Sequence, residues 1–438
     1  MLKIIQVSVI TILTSFFFFP FFFSFLPSVN TKMFLAVLGL MALLIDYMKG
    51  YAYSAWTSLV NISIFALGVS LCSFASMTIN GTPDDSYLGY IVSMAVWFFA
   101  AYFCVSLIRQ VHGHVSVELV ARYLMSVALL QCTLALLIDH FPIVKNLVNT
   151  YVTGERYMGV GVKNRLYGIG CALDVGGGRL GAVLIAIAYL ILQAIKQQKS
   201  KWMLFVLLSS FVYIFIIGNM MGRTATVGAA LALVYLAFSV IFFNEYHTPS
   251  VKFFLFLSLV IVVVGSLVCI GLYNTNPEAR NLLRFGFEAF FNYFEYGEFE
   301  THSTEMLSEG MVFPDNLKTW IIGDGYMASG SNDPYYIGPS DYGFYMNTDA
   351  GYSRFIFYFG LIGLFSFIVF FLAVCKECVN KVYDAKLLFV AILLLNFCIW
   401  VKVSTDLFVV FAMFLCVDSE NVCVNGVQEN KCITCDRT

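Results

Sequence analysis

The sequence has little charge, and this shortage excludes most classes of protein. Only 12% of its 438 residues are charged, about half the ~25% that is usual for a soluble globular chain. Hydrophobic residues make up 60% of the chain, and its mean hydropathy is +0.82. The outer surface of such a chain must be apolar, so a soluble enzyme and a disordered chain are both excluded. Its net charge of −2 also gives no overall basic surface, and we expect no nucleic-acid partner.

Long apolar runs take the place of charge, and they predict an all-α polytopic membrane protein. A bilayer span needs roughly 20 mostly apolar residues. The run after Lys3 is too long for a signal peptide and lacks a small-residue cleavage site, so we expect it to be retained. The last two runs are short and only Lys402 and Val403 separate them, so a re-entrant hairpin is the alternative there. The twelve predicted spans are about 4–26, 33–48, 54–75, 88–108, 120–140, 179–195, 202–219, 224–243, 253–273, 352–374, 387–401 and 404–418.

Lysine and arginine in the short loops predict the orientation of these spans. With the N-terminus inside, the short outer connections carry three basic residues, Lys32, Arg223 and Lys402. The inner loops carry nine, so both termini are expected in the cytoplasm. The nine inner basic residues are Lys49, Arg109, Lys196, Lys199, Lys201, Lys252, Lys376, Lys381 and Lys386.

This orientation places two long loops outside the membrane, and long loops in a compact protein are usually functional. No internal repeat divides the chain into halves. The larger loop holds twelve of the 27 acidic residues. The predicted organisation is spans 1–5 in 1–140, a first extracytoplasmic loop in 141–178, spans 6–9 in 179–273, a large extracytoplasmic loop in 274–351, spans 10–12 in 352–418 and a cytoplasmic tail in 419–438.

The twelve cysteines lack the placement that disulfides need. Only Cys171 falls in an outer loop, and the others lie in spans or on the cytoplasmic side. Two CxxC pairs, Cys375–Cys378 and Cys432–Cys435, supply four thiolates that suit zinc, but no histidine accompanies them. Reduced, unpaired thiols are the alternative interpretation.

A glycine-rich segment beginning at Arg165 is the first candidate site. It lacks the third glycine of a dinucleotide fingerprint, because Leu173 stands at that position, and no strand precedes it. Gly176–Gly178 favour either close approach of the backbone to a ligand or a sharp turn into the sixth span. Arg165 and Arg179 suit a lipid-linked phosphate, since guanidinium binds phosphate oxygens bidentately. Snorkelling to lipid headgroups is the alternative.

Arg223 is the second candidate, because it lies between two spans with almost no loop around it. A charge at that depth is costly unless it faces protein, water or an anion. The neighbouring residues Gly222, Thr224 and Ala225 are small and permit close packing of helices. The position therefore predicts a functional arginine.

The third candidate site follows the acidic loop, where Asp349 precedes Arg354 at the start of the tenth span. About a turn and a half of helix separates them, so the two side chains can flank one ligand. Capping of the helix by Asp349 is the alternative role. Tyr345, Tyr352 and Asp341 are candidate glycan-binding residues in the same region, although packing within the loop is the commoner use of its aromatic residues. Phenylalanines at helical spacing from Phe287 to Phe294 predict an amphipathic helix in the interface plane.

Taken in order, these motifs resemble the Wzy-type O-antigen and capsule polymerases, in the superfamily that also contains the O-antigen ligases. Arg-Leu-x-Gly begins at Arg165, Gly-Arg-Thr-Ala begins at Gly222, and Asp-x-Gly-Tyr-x-Arg begins at Asp349 and leads into a Gly-Leu-Ile-Gly span. Arg165 is also followed by ten residues and Gly176, similar to the Arg-x10-Gly pattern of such polymerases. The ligases place a histidine before the span after the large loop, and its absence here counts against a ligase.

The resemblance implies a metal-independent membrane glycosyltransferase of the bacterial inner membrane that uses no cofactor. Its substrates would be oligosaccharides on undecaprenyl pyrophosphate, and a chain-length regulator is a further expected partner. The expected pyrophosphate ligands are Arg165, Arg179, Arg223 and Arg354, with Arg223 also catalytic. Asp349 is the expected proton acceptor. An O-antigen ligase and a flippase or other transporter remain the alternatives.

Overall fold

A computed structural model of the protein describes residues 2–153, 165–298, 301, 304–305, 311–328 and 343–418. Nine helices within this part of the chain are long and apolar enough to cross a membrane. They confirm a multi-pass, largely helical membrane protein. These nine helices are α2 (Thr31–Met48), α3 (Tyr53–Asn80), α4 (Tyr90–His112), α5 (Val117–His140), α7 (Leu173–Lys196), α8 (Lys201–Met221), α9 (Thr224–Phe242), α10 (Pro249–Thr275) and α14 (Gly351–Lys381).

Shorter elements complete the described chain. Each of the twelve predicted spans contains a helix, but three of those helices are shorter than a full span. The shorter elements are α1 (Leu2–Phe18), β1 (Phe22–Phe23), β2 (Leu26–Asn30), α6 (Pro142–Tyr151), β3 (Val152–Thr153), α11 (Pro277–Gly286), α12 (Glu288–Tyr296), α13 (Leu317–Ile322), α15 (Lys386–Ile399) and α16 (Phe408–Leu415).

The first predicted span, 4–26, is too long at its C-terminal end. Helix α1 stops at Phe18, and Pro20 follows, which has no N–H to continue a helix. The chain then forms strands β1 and β2, and the small antiparallel sheet has the order β2-β1-β3. The predicted span was too long because the apolar residues of strand β1 directly follow those of helix α1 in the sequence.

Helix α7 lies at the centre of the bundle and is buried along most of its length. It begins at Leu173, six residues before the predicted span, so Gly176–Gly178 lie within its first turns. There they pack against protein: a Cβ on Gly177 would meet the carbonyl oxygen of Gly222 at 2.6 Å. Farther along, a Cβ on Gly181 would lie 3.1 Å from the Cα of Gly228 in α9. Both predictions for Gly176–Gly178 are therefore wrong, since these glycines allow helices to approach closely.

Helix α14 is interrupted at Gly360, whose φ of 66° is left-handed. This break leaves carbonyl groups near it without partners in the helix. The Tyr358 carbonyl accepts hydrogen bonds from the Gly325 amide at 3.0 Å and from the Ser76 hydroxyl at 2.7 Å. The segment 311–328 is thereby bound to the outer part of the bundle, the end predicted to face away from the cytoplasm.

Helices α15 and α16, in the region of the last two predicted spans, follow one another as a pair, with the rings of Phe389 and Phe414 5.4 Å apart. Fourteen residues of α15 extend about 21 Å at ~1.5 Å per residue, which is short of a bilayer core of about 30 Å. We call residues 400–407, which join these helices, the hairpin tip. Tyr352 at the start of α14 binds the end of α15 and the first residue of the tip, since its hydroxyl donates to the Phe397 carbonyl and its amide to the Trp400 carbonyl.

Candidate functional site

Arg165 and Arg223 lie together, although 58 positions separate them in the sequence. Arg223 occupies the single turn between α8 and α9, and the Leu166 amide donates to the Met220 carbonyl at 3.0 Å, which holds the Arg165 segment against the end of α8. Both guanidinium groups lie over the ring of Phe285, at 4.6 Å for Arg165 and 4.9 Å for Arg223. We call these two residues the arginine pair. The position of Arg165 could not be read from the sequence, because nothing there indicates Phe285 as a shared partner.

The Arg223 guanidinium is largely shielded from solvent and is paired with a carboxylate. Its side chain is only 15% exposed, and it forms an ion pair with Glu288, the first residue of α12. Burial lowers the pKa of Arg223, and the like charge of Arg165 lowers it further. An additional anion at this position would therefore be stabilised by two cations that are already in place.

An apolar groove lies beside the arginine pair, between α8, α9 and α10. It encloses a volume of about 1110 Å³. It exists because α10 stands away from the bundle: among the 27 residues of α10, Phe254 alone is buried. Its walls carry almost exclusively apolar side chains, including Phe211, Leu236, Phe254, Val262, Ile270 and Tyr273.

Helices α11 and α12 close one end of the groove. The predicted amphipathic helix is present as α12, although Phe287 separates it from α11 and does not belong to it. Phe287, Phe290, Phe291 and Phe294 all line the groove. Glu288, the partner of Arg223, follows Phe287 directly, so the groove ends next to the arginine pair.

The hairpin tip connects the arginine pair to Arg354. The Thr224 hydroxyl, next to Arg223 in the chain, donates to the Asp174 carbonyl at 3.0 Å. The Asp174 carboxylate pairs with the Lys402 ammonium at 2.9 Å. Two residues farther along the tip, the Ser404 hydroxyl accepts from the Arg354 guanidinium at 2.7 Å. We call this series of contacts the polar belt.

Arg354 has further partners in the outer segments. Its guanidinium donates to the Met327 carbonyl at 3.0 Å and lies 4.4 Å from the ring of Phe344. Asp349 is exposed, and the N-cap of α14 is Ala350, so the alternative of helix capping by Asp349 is wrong. Among the described residues the Asp349 carboxylate has no hydrogen-bond donor as partner. It remains available as a proton acceptor.

The structure places Arg179 in a different group of charges. It is buried within α7, donates to the Phe18 carbonyl at 2.6 Å and lies 5.2 Å from the ring of Trp97. Lys32 lies 4.1 Å from the same ring, and both cations interact electrostatically with Asp406 of the hairpin tip. Sequence reasoning missed Lys32 and Asp406. Their one signal was the presence of single charges beside long apolar runs.

The three candidate glycan-binding residues have different positions. Tyr345 stacks on Tyr326 with ring centroids 5.3 Å apart and lines a polar pocket. Tyr352 is not part of this pocket, because its hydroxyl is used within the bundle by the Phe397 carbonyl. Asp341 lies outside the described residues.

In the described ranges, no group of three or more histidine, cysteine, aspartate or glutamate side chains is arranged to hold a metal ion. Cys375 and Cys378 are buried in α14 as free thiols, and burial is unfavourable for the thiolates that zinc requires. The second pair, Cys432 and Cys435, lies outside the described residues.

Comparison with known proteins does not identify the chain. No protein-family model matches it, and no curated protein matches it either. The family resemblance of the motifs thus stands on the residues named above.

Proposed function

We propose that this protein is a membrane-embedded glycosyltransferase that polymerises undecaprenyl-pyrophosphate-linked repeat units into O-antigen or capsular polysaccharide. The reaction would take place on the outer face of the bacterial inner membrane. One observation carries the proposal: an apolar groove ends beside two arginines that share one aromatic ring.

This combination suits an amphiphile that has a long hydrocarbon chain and an anionic head. The groove offers an apolar surface beside which a lipid chain can lie without leaving a hydrophobic environment. The arginine pair offers two planar forks, which match phosphate oxygens better than ammonium groups do. A lipid-linked pyrophosphate has both parts, whereas a free sugar nucleotide has no use for the groove.

The proposed reaction is a single glycosyl transfer. A hydroxyl oxygen of the acceptor glycan attacks the anomeric carbon of the donor glycan, and a new carbon–oxygen bond forms. The bond between the anomeric carbon and the pyrophosphate oxygen breaks, and undecaprenyl pyrophosphate leaves with the bonding electron pair. Arg165 and Arg223 stabilise the charge on the leaving group. The hydroxyl proton passes to the Asp349 carboxylate.

Two alternatives receive different support. An O-antigen ligase would use lipid A core as acceptor, and the region before α14 contains Asp349 where a ligase has histidine. A flippase is favoured by one observation, the break of α14 at Gly360, because transporters often contain discontinuous helices. In this chain, however, segment 311–328 satisfies the Tyr358 carbonyl at the break, and α7 fills the centre of the bundle.

Reconstitution tests the proposal directly. The purified protein in lipid nanodiscs, supplied only with the host's lipid-linked repeat units, should produce a ladder of polymer on a gel. Movement of these units across vesicles without polymer, or transfer to added lipid A core without polymer, would reject it. In the host, deletion of the gene should leave single capped repeats, whereas loss of a ligase leaves none and loss of a flippase leaves the units inside.

A further inference from the structure

We propose that a polar pocket on the outer side of α14 binds a pyranose ring of the acceptor glycan. The pocket encloses about 450 Å³, within the range of about 300–1,000 Å³ that is usual for small-molecule sites. The assignment of this sugar to the acceptor glycan rests on the proposed function, whereas the binding of a sugar does not. Six residues that line it are Asn80, Thr82, Lys318, Asp324, Tyr326 and Tyr345.

Three separate parts of the chain build this pocket, and hydrogen bonds from side chains to backbone carbonyls hold two of them together. The end of α3 supplies Asn80, whose side-chain amide donates to the Gly323 carbonyl at 3.1 Å. The Thr82 hydroxyl donates to the Gly325 carbonyl at 3.0 Å. Gly323 and Gly325 both have left-handed φ angles, near 80°, which a glycine adopts without strain. The part of the pocket formed by residues 80–82 and 323–325 is therefore preorganised by contacts within the protein.

Asp324 is the central polar group of the pocket. Its amide donates to the Phe357 carbonyl at 2.6 Å, at the interrupted part of α14. Its carboxylate accepts hydrogen bonds from the Thr319 hydroxyl at 2.7 Å and from the Tyr345 hydroxyl at 3.1 Å. A carboxylate has about four acceptor positions, so hydroxyls of a ligand can use the others. With 22% of its side chain exposed, Asp324 is accessible from the pocket.

The charges of the pocket favour a neutral ligand that is rich in hydroxyls. Lys318 lies 3.7 Å from the Asp324 carboxylate and also donates to the Asn80 side chain, so one cation and one anion offset each other. A phosphate would gain little from such a site. A sugar, in contrast, can donate to the carboxylate and accept from the ammonium with neighbouring hydroxyls.

Two tyrosines add an aromatic surface to these polar groups. The rings of Tyr326 and Tyr345 are nearly parallel, with an angle of 19° between them. A backbone bridge between Ala328 and Phe344 holds the two segments side by side. The C–H face of a pyranose can pack on such a surface while its rim of hydroxyls reaches the polar groups.

The position of the pocket assigns it to the acceptor. Tyr326 precedes Met327, whose carbonyl accepts from Arg354, and the polar belt joins Arg354 to the arginine pair. The donor pyrophosphate is proposed to lie at the other end of that belt, beside the groove. A glycan in the pocket would thus approach the donor from the opposite side.

Saturation-transfer NMR tests the sugar site without requiring any reaction. The probe is the lipid-free repeat unit released from the host's surface glycan, added to the full-length protein in nanodiscs. Wild type should show transfer to ring protons, and Asp324→Asn and Lys318→Gln should each weaken binding at least ~10-fold, the loss of about one charge-assisted hydrogen bond. Asp315→Asn, an exposed aspartate in the same segment, is the matched control.

Unchanged binding by both pocket variants, or no binding by wild type, would overturn the sugar site. In the polymerisation assay, Asp324→Asn should raise the KM for the acceptor with little change in kcat, as expected when uniform binding is lost. A rise in the donor KM alone would overturn the assignment to the acceptor. If the protein proves not to polymerise but still binds the glycan through Asp324, the proposed function fails and the sugar site stands.

Discussion

Replacing Arg223 with lysine separates a ligand for pyrophosphate from a structural ion pair. Lysine keeps the positive charge, so pairing with Glu288 can persist, but it loses the planar fork. The loss of one charge-assisted hydrogen bond costs ~1.5–3 kcal/mol. At about 1.36 kcal/mol per tenfold change, kcat/KM for the lipid-linked donor should fall about 10- to 160-fold.

The chain contains a matched control for this substitution. Arg284 also pairs with a glutamate, Glu295 at 2.6 Å, and also lies over a phenylalanine, at 5.5 Å from the ring of Phe291. It differs from Arg223 in being 40% exposed and in lying on α11, away from the turn between two spans. The Arg284 guanidinium donates to both Glu295 carboxylate oxygens, at 2.8 and 2.6 Å, and this hydrogen bonding raises the pKa of Arg284. Arg284→Lys should keep kcat/KM within about fivefold, since exposed pairs contribute ~0–1 kcal/mol.

The Glu288→Gln variant tests whether Arg223 binds pyrophosphate or serves only the ion pair. If Arg223 holds pyrophosphate, the Glu288 carboxylate competes with the ligand, and its removal should leave donor KM unchanged or lower. If Arg223 serves only the ion pair, Glu288→Gln, which removes the pair, should reduce activity at least as much as Arg223→Lys, which can keep it. Initial rates at varied donor concentration, with protein level checked by size-exclusion chromatography, distinguish these results. A loss in Glu288→Gln that equals or exceeds the loss in Arg223→Lys would refute the assignment of Arg223.

Three further predictions concern the groove, the base and metal ions. A Cβ on Gly265 or Gly271 of α10 would meet no atom within 4 Å, but only Gly265 lines the groove. Gly265→Phe should therefore raise donor KM in nanodiscs by about fivefold or more, since overpacking costs ~1–3 kcal/mol, whereas Gly271→Phe should not. Equal effects of the two substitutions would argue against a lipid in the groove. Asp349→Asn should fold normally, because Ala350 is the cap, and polymerise at least ~100-fold more slowly; near-normal polymer would refute the assignment of Asp349 as the base. Excess chelator should leave polymerisation by the purified protein intact, and a strict requirement for magnesium or manganese would contradict this.

The helices were predictable from the sequence because hydropathy is a strong local signal. The predicted span 54–75 lies within α3 (Tyr53–Asn80), and the predicted span 224–243 nearly coincides with α9 (Thr224–Phe242). The break at Gly360 was not predictable, because a glycine in an apolar run equally suits close packing of helices. The Gly325 amide and the Ser76 hydroxyl both satisfy the Tyr358 carbonyl, and these distant partners make that break tolerable.

The candidate site was predictable residue by residue but not as an arrangement. Arg165 and Arg223 are both unusual charges at span boundaries, and each could be selected for that reason. Arg179 had the same local appearance, yet it is buried beside Trp97 and Phe18 in another group. Whether two arginines meet depends on which helices are neighbours, and the periodicity of a single helix does not contain that information.

The hairpin tip relates the two ends of the proposed site to each other. Lys402 binds Asp174, whose carbonyl accepts from the residue after Arg223, and Ser404 binds Arg354. A tip placed within a membrane bundle leaves peptide groups outside any helix, which is tolerated where protein or water satisfies them. Here the ordered tip keeps the arginine pair and Arg354 at a fixed separation. If donor pyrophosphate lies at the pair and the acceptor beside Arg354, this separation sets how closely the two glycans approach, so substitutions in the tip should change kcat more than either KM.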